Sequence, residues 1–222
     1  MNYYAVIVAG GSGKRMNSNI PKQFLLLNNK PILMHTIAKF EKLCKEIIVV
    51  LPENQIVYWE SLCKEFAFNV KHTIIKGGDE RFFSVKNGLQ AIQADEGIVA
   101  IHDGVRPCVA HQLLKDSFDN AKNNSSAVTY VRLKDSVRQL IGSSNKAVNR
   151  NDFVLIQTPQ TFELKSIRAA YQQQFSTSFT DDATVFEAAG NTVNLIEGSY
   201  KNIKITTEED LAIAEIYLQN SN

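Results

Sequence analysis

Residues 5–22 read AVIVAGGSGKRMNSNIPK, and this stretch decides the fold. Ala5 to Ala9 is a short apolar run of the kind that forms a buried strand. It breaks at Gly10, Gly11 and Gly13, with Ser12 between the last two. Glycines at such a point let the backbone turn sharply and bring its N–H groups close to a ligand. Lys14, Arg15 and Lys22 add three cations to the same loop. A strand that empties into small residues, amide donors and cations suits a polyphosphate.

Two common phosphate signatures do not fit. A P-loop requires Gly, four residues, Gly, then Lys and a hydroxyl residue. Here Lys14 follows Gly13, but Arg15 replaces the hydroxyl and Val8 replaces the first glycine. A dinucleotide fingerprint requires a third glycine where Met16 stands and an acidic residue closing the next strand. Val50 and Leu51 close that strand instead, with Glu53 only beyond Pro52. An ordinary strand-to-helix turn stays open as a reading of the glycines alone.

The remaining pattern alternates strands and helices. Pro31 can start a helix whose Leu33, Ile37, Phe40 and Cys44 recur at helical spacing. Strands are expected at 46–51, 70–75, 98–101 and 127–131, and helices at 54–66, from about 80 through Ile92, and at 111–122. Such alternation predicts an α/β fold: a mostly parallel, twisted sheet with helices on both faces. Ligands bind such sheets beyond the carboxyl ends of the strands. The first loop, Gly77-Gly78-Asp79 and His102-Asp103-Gly104 all fall at such ends. Residues 132–150 break the pattern with charges, Gly142, Ser143 and Ser144 between short alternating runs. They read as a protruding β-hairpin arm. Later segments are a helix at 165–174, a helix opened by Thr180 as N-cap, strands at 192–196 and 202–205, and a terminal helix at 206–218. TTEEDL at its start resembles a capping box closed by glutamate.

The 222 residues can bury one sizeable core, so a single domain spanning 1–222 is expected. A formal net charge of +1 argues against nucleic-acid or membrane-surface binding. Charge is nevertheless uneven. Before residue 51, Lys14, Arg15, Lys22, Lys30, Lys39, Lys42 and Lys45 face only Glu41 and Glu46. Cys44, Cys63 and Cys108 form no CxxC or zinc pattern, which fits a reducing, cytoplasmic compartment. No signal peptide is evident, and no stretch approaches the ~20 apolar residues of a membrane helix.

Several motifs carry a resemblance over nearly the whole chain. AGGSGKRM followed by PKQF, GGDERFFS from Gly77, HDGVRP from His102, and NR followed by QTPQTF from Asn149 resemble the nucleotidyltransferases that build nucleotide-diphospho sugars and alcohols. PKQF and QTPQ point to the cytidylyltransferase branch, whose members make CDP-linked polyols. The resemblance implies a Rossmann-like nucleotidyltransferase fold, CTP and a polyol phosphate as substrates, and a homodimer formed through the 132–150 arm. The acceptor would be 2-C-methyl-D-erythritol 4-phosphate or, alternatively, ribitol 5-phosphate. AVNR before QTPQ and the short length favour the first.

Residue roles follow from both sources. Ala9, Gly10, Gly11, Ser12, Gly13 and Lys14 would hold the triphosphate, with Arg15 and Lys22 catalytic. By resemblance, Gly78, Asp79, Ser84 and Gly104 would bind the nucleoside part of CTP, while Arg81 would brace its loop. Asp103 sits beside a triphosphate that would repel it unless a hard cation intervened, which makes it the expected Mg2+ ligand. Capping a turn or pairing with Arg106 is the structural alternative. Arg150 offers a planar fork suited to a phosphate monoester, and Thr158 a hydroxyl donor. Arg106, Thr180, Asp181 and Lys204 join them at the acceptor by resemblance. His102 is read as structural, because an ionised phosphate nucleophile needs no base. A nicotinamide dehydrogenase is disfavoured by Met16. A non-catalytic nucleotide-binding module would have little use for so many dispersed cations.

Overall fold

The computed structural model describes residues 1–10 and 20–219. The expectations for Gly11, Ser12, Gly13, Lys14 and Arg15 lie outside the described residues.

The chain enters on β1 (Tyr3–Val8) and meets a 3-10 turn at Lys22–Phe24. A two-stranded ribbon of β2 (Leu26–Leu27) and β3 (Lys30–Pro31) leads into α1 (Ile32–Phe40), which begins directly after Pro31. β4 (Glu46–Leu51), α2 (Glu53–Glu65), β5 (Thr73–Lys76), α3 (Arg81–Ala91), β6 (Ile98–Asp103) and α4 (His111–Asn124) follow. Then come β7 (Ser126–Arg132), the hairpin of β8 (Val137–Ile141) and β9 (Ser144–Val148), and β10 (Val154–Glu163). The chain continues through α5 (Leu164–Ala170), α6 (Asp182–Ala188), β11 (Leu195–Glu197) and α7 (Glu208–Gln219).

Seven strands form one sheet in the order β11-β7-β10-β6-β1-β4-β5. β10 runs antiparallel to both its neighbours, and the remaining pairings are parallel. β1 sits near the middle because both its faces are apolar. Ala5 and Ile7 pack with Leu33, Ile37, Phe40, Leu114 and Phe118 on one side. Tyr4 and Val6 pack with Val85, Leu89, Ile167 and Phe186 on the other. A strand buried on both faces reads as a continuous apolar run, which is why 5–9 and 46–51 were legible.

The differences from sequence are local. The strand expected at 70–75 forms at 73–76. Residues 202–205 form no strand; Ile205 N–H donates to the Val105 carbonyl from the loop before α7. Asp181, rather than Thr180, caps α6: its carboxylate accepts from Thr184 N–H, and the Thr184 hydroxyl closes the box. At α7, Thr207 and Asp210 exchange side-chain-to-backbone hydrogen bonds, so aspartate does what glutamate was expected to do. Among the described residues, no helix is long and apolar enough to cross a membrane.

Candidate active site

The carboxyl ends of β1, β4, β5 and β6 open on a cleft of about 270 Å³. Ala9 and Gly10 form one wall, Gly77 to Arg81 with Ser84 another, and Lys22, Asp103 and Lys204 project toward it. The three strand-end loops thus converge as expected, because parallel neighbours end on the same side.

The Gly77 loop is drawn tightly onto α3. Gly78 N–H donates to Ser84 Oγ at 3.1 Å. A Cβ on Gly78 would lie 2.4 Å from that of Phe83, so only glycine permits this approach. Ser84 therefore shapes the loop as well as lining the cleft. Asp79 stands exposed at its rim. Gly104 lies against the end of β1: its N–H bonds the Val8 carbonyl, and an added Cβ would meet Ala9 Cβ at 2.8 Å. With Ala9 in place, alanine at 104 would not fit without a shift.

Asp103 forms the floor and is only 8% exposed. Its Oδ2 accepts from Arg106 Nε at 3.0 Å and Lys204 Nζ at 3.2 Å. Burial works against its charge, but Lys204, Arg106 and Arg81 outweigh that and hold the carboxyl well below the usual carboxylate range. Arg106 also donates from Nη1 to the Asn202 carbonyl at 2.8 Å. Arg106 does not itself line the cleft but is tied to Asp103, which does. Thr158 is tied into the same floor. Its hydroxyl accepts from Asp103 N–H at 3.0 Å and, with its own proton, reaches His102 Nδ1 at 3.1 Å. His102 Nε2–H then points to the Arg106 carbonyl at 3.3 Å. The ring is fully buried, and burial pushes its pKa down to about 4, leaving a neutral imidazole that supports the floor.

Lys22 is brought to the cleft by the 3-10 turn and is nearly buried. Lys204 reaches the floor from the loop before α7, with its side chain 44% exposed. Thr180, Asp181 and Arg150 are not gathered there: none lines the cleft. Asp181 Oδ2 accepts from Gln160. Arg150 lies at the base of the hairpin, donating to the Lys134 carbonyl.

Two features escaped the sequence reading. Arg81 grips Asp182 with both guanidinium nitrogens, at 2.7 and 2.6 Å, and Tyr171 O–H adds a third bond at 2.6 Å. The partners are 101 positions apart, and no local spacing announces them. Gln23 also lines the cleft, fully buried beside Lys22. The only signal for it was its place in PKQF.

Among the described residues, no cluster of three or more metal-ligating side chains exists. Asp103 suits a magnesium ion in another way. Its two cations both engage Oδ2, and Mg2+ typically takes one or two carboxylates with the remaining ligands from phosphates and water. A hard oxygen donor on the floor of a phosphate-sized cleft fits that chemistry.

Known proteins match this chain throughout. A family model for 2-C-methyl-D-erythritol 4-phosphate cytidylyltransferase matches residues 3–220. The enzyme of that description from Phocaeicola vulgatus is 44% identical over 98% of this chain and all of its own length. That from Azobacteroides pseudotrichonymphae is 46% identical over 96% of each chain. Among solved structures, the Francisella tularensis cytidylyltransferase is 31% identical with a TM-score of 0.81, covering 98% of this chain and 100% of its own. The 4-diphosphocytidyl-2C-methyl-D-erythritol synthase of Anaerococcus prevotii gives 29% and 0.82, covering 98% of both. With the sheet, the strand-end cleft and the full-length match in agreement, the chain belongs to the 2-C-methyl-D-erythritol 4-phosphate cytidylyltransferase family.

Proposed function

We infer that this chain transfers the cytidylyl group of CTP to 2-C-methyl-D-erythritol 4-phosphate and releases pyrophosphate. The observation that carries the reading is the floor of the cleft, where ionised Asp103 and the cation Lys204 meet between two glycine loops. An acceptor phosphate oxygen attacks the α-phosphorus of CTP, and the bond from that phosphorus to the bridging oxygen of pyrophosphate breaks. No proton need move, because the monoester is already ionised.

The residues then divide the work. Ala9, Gly10 and the loop that follows hold the triphosphate. Gly78, Asp79, Ser84 and the Gly104 backbone hold the nucleoside. Lys22 and Arg15 place positive charge where it grows on the phosphorane oxygens and the leaving group, the kind of interaction that lowers a barrier most. Asp103 would hold Mg2+, which when bound offsets triphosphate charge. Lys204, with Arg106 and Thr158 beside it, serves the acceptor phosphate, and Thr180 and Asp181 its hydroxyls.

Arg150 completes the acceptor site from a second copy. Residues 1–222 form one cytidylyltransferase domain in this reading, with 132–150 inserted as a dimerisation arm. Support comes from apolar surface with no cover in the single chain: Leu140 is 80% exposed at the hairpin tip, and Phe153, Leu155 and Ile156 are exposed at its base. The test is pyrophosphate release with CTP and, in parallel, each polyol phosphate. Turnover with methylerythritol phosphate and none with ribitol 5-phosphate supports the reading; the reverse overturns it.

A further inference from the structure

Gln23 follows Lys22 in the 3-10 turn, and its side chain is entirely buried. Its amide nitrogen donates twice. One bond, 2.8 Å, goes to the Ala9 carbonyl at the end of β1, fourteen positions earlier. The other, 2.6 Å, goes to Gln55 Oε1 on α2. The amide oxygen is buried and has no hydrogen-bond partner. Buried polar atoms are normally satisfied, so an open acceptor beside a doubly used donor is a cost the site tolerates to keep the nitrogen where it is. A flipped amide would face its oxygen against the Ala9 carbonyl, so the orientation is fixed by chemistry.

We propose that Gln23 is a positioning residue for the transfer reaction: it ties the turn carrying Lys22 to the end of β1, and thereby sets the distance between the Lys22 ammonium and the Ala9–Gly10 wall where the triphosphate would lie. Gln55 holds the tie from outside. Phe24 fixes the other flank by stacking on Trp59, with ring centroids 5.9 Å apart. The turn is thus bolted to α2 on one side of Lys22 while its nitrogen bolts it to β1. Misplacing a charge-stabilising group by about an ångström is enough to lose roughly 100-fold in rate. The inference rests on the cytidylyltransferase reading given above.

The chemistry of the two bonds supplies the test. Gln23→Glu keeps shape but has no N–H for the Ala9 carbonyl. Gln55 can rotate its own amide and still bond the carboxylate, so this variant removes the β1 bond but adds a charge beside Lys22, and Gln23→Met removes the bond without one. Gln55→Leu removes only the outer bond. Gln23→Glu should lower kcat with methylerythritol phosphate by ~30- to 100-fold and change KM for CTP less than about threefold, because Lys22 acts chiefly in the transition state. Gln55→Leu should give a smaller loss of the same kind. Gln23→Met serves where the glutamate proves unstable, with the melting temperature recorded for each.

A double-mutant cycle separates positioning from general damage. In a Lys22→Ala background, Gln23→Met should cost less than about threefold further in kcat, since the group it positions is gone. Equal losses with and without Lys22, or wild-type kcat in both Gln23 variants, overturn the inference. If the wild-type enzyme releases no pyrophosphate from CTP and methylerythritol phosphate, it is the functional reading that fails instead.

Discussion

The floor of the cleft and the clamp beside it are both built on a buried carboxylate held by an arginine, and they leave different things open. At the clamp, Asp182 is fully buried and receives two bonds from Arg81 and one from Tyr171, on both of its oxygens. At the floor, Asp103 takes Arg106 and Lys204 on Oδ2 alone, and one of those cations is half exposed to solvent. A saturated pair can only hold elements together. An unsaturated one, with a half-exposed cation beside it, can exchange partners when an anion or a metal ion arrives. The same residue types therefore saturate a carboxylate in one place and leave an oxygen open to a ligand in the other.

The sharpest way to break this comparison is at the clamp. Arg81→Ala strands the Asp182 charge with Tyr171 as its remaining partner. Removing one member of a buried pair costs about 3–5 kcal/mol, and denaturant unfolding should show that loss. Arg81→Met combined with Asp182→Leu should recover much of it, because no isolated charge is left behind. If Arg81→Ala unfolds at the wild-type midpoint, the clamp is not what holds the Gly77 loop to α6.

His102 sharpens the comparison from beneath the floor. Its buried ring titrates near 4, against 6.5 for an exposed histidine. Between those values the unfolded chain binds the proton and the folded chain does not, so stability falls as pH drops through the window and is fully present above it. The difference corresponds to about 3 kcal/mol between pH 7 and pH 4. His35, also lowered chiefly by burial, adds to the same trend. His102→Gln should flatten the pH dependence of the unfolding midpoint between pH 7 and 4.5, leaving the His35 share. An unchanged slope would mean that His102 is not held neutral.

At the floor itself the expected readout is activity. Asp103→Asn keeps the shape and removes the charge. It should lower kcat by ~100-fold, the scale of losing one preorganised electrostatic group. The Mg2+ concentration for half-maximal rate should rise with it. Stability should fall less than in Arg81→Ala, since Arg106 keeps the Asn202 carbonyl and Lys204 can turn to water. A metal titration that does not move would reduce Asp103 to a partner of Arg106.

What the sequence could say about these regions follows from the reach of each interaction. The apolar runs at 5–9 and 46–51 and the glycines after β1 and β5 are local signals, and they placed the sheet and the cleft correctly. The hairpin was legible from Gly142 and the serines between two alternating runs. Arg106 and Thr158 show in the sequence only as a cation and a hydroxyl, without their partners. Only the folded chain shows that they also hold Asn202, His102 and the Asp103 amide. The Thr180 cap was misread by one residue because Asp181 competes for the same position, and a carboxylate accepts more strongly than a hydroxyl. Arg81 with Asp182, and Gln23 with Ala9, join segments that no local periodicity connects.

Arg150 carries the smallest expected effect and the widest consequence. In the single chain it stands at the base of the hairpin and reaches the Lys134 carbonyl, away from Lys22, Asp103 and Lys204. If this guanidinium grips the acceptor phosphate as proposed, the arm would carry it into the cleft of another copy. Arg150→Ala should raise KM for the polyol phosphate about tenfold, roughly the worth of one charge-assisted hydrogen bond, with CTP binding unaffected. Arg150→Lys should recover part of that, since an ammonium lacks the fork. Mixing subunits then decides whose site the arginine serves. In a heterodimer of Lys22→Ala and Arg150→Ala chains, crossing arms would leave one site with both residues intact. Half of a random mixture is heterodimer, so about a quarter of wild-type activity should return at acceptor concentrations well below the variant's KM. If Arg150 served its own chain, each site would keep a single lesion and mixing would restore nothing beyond the average of the two variants.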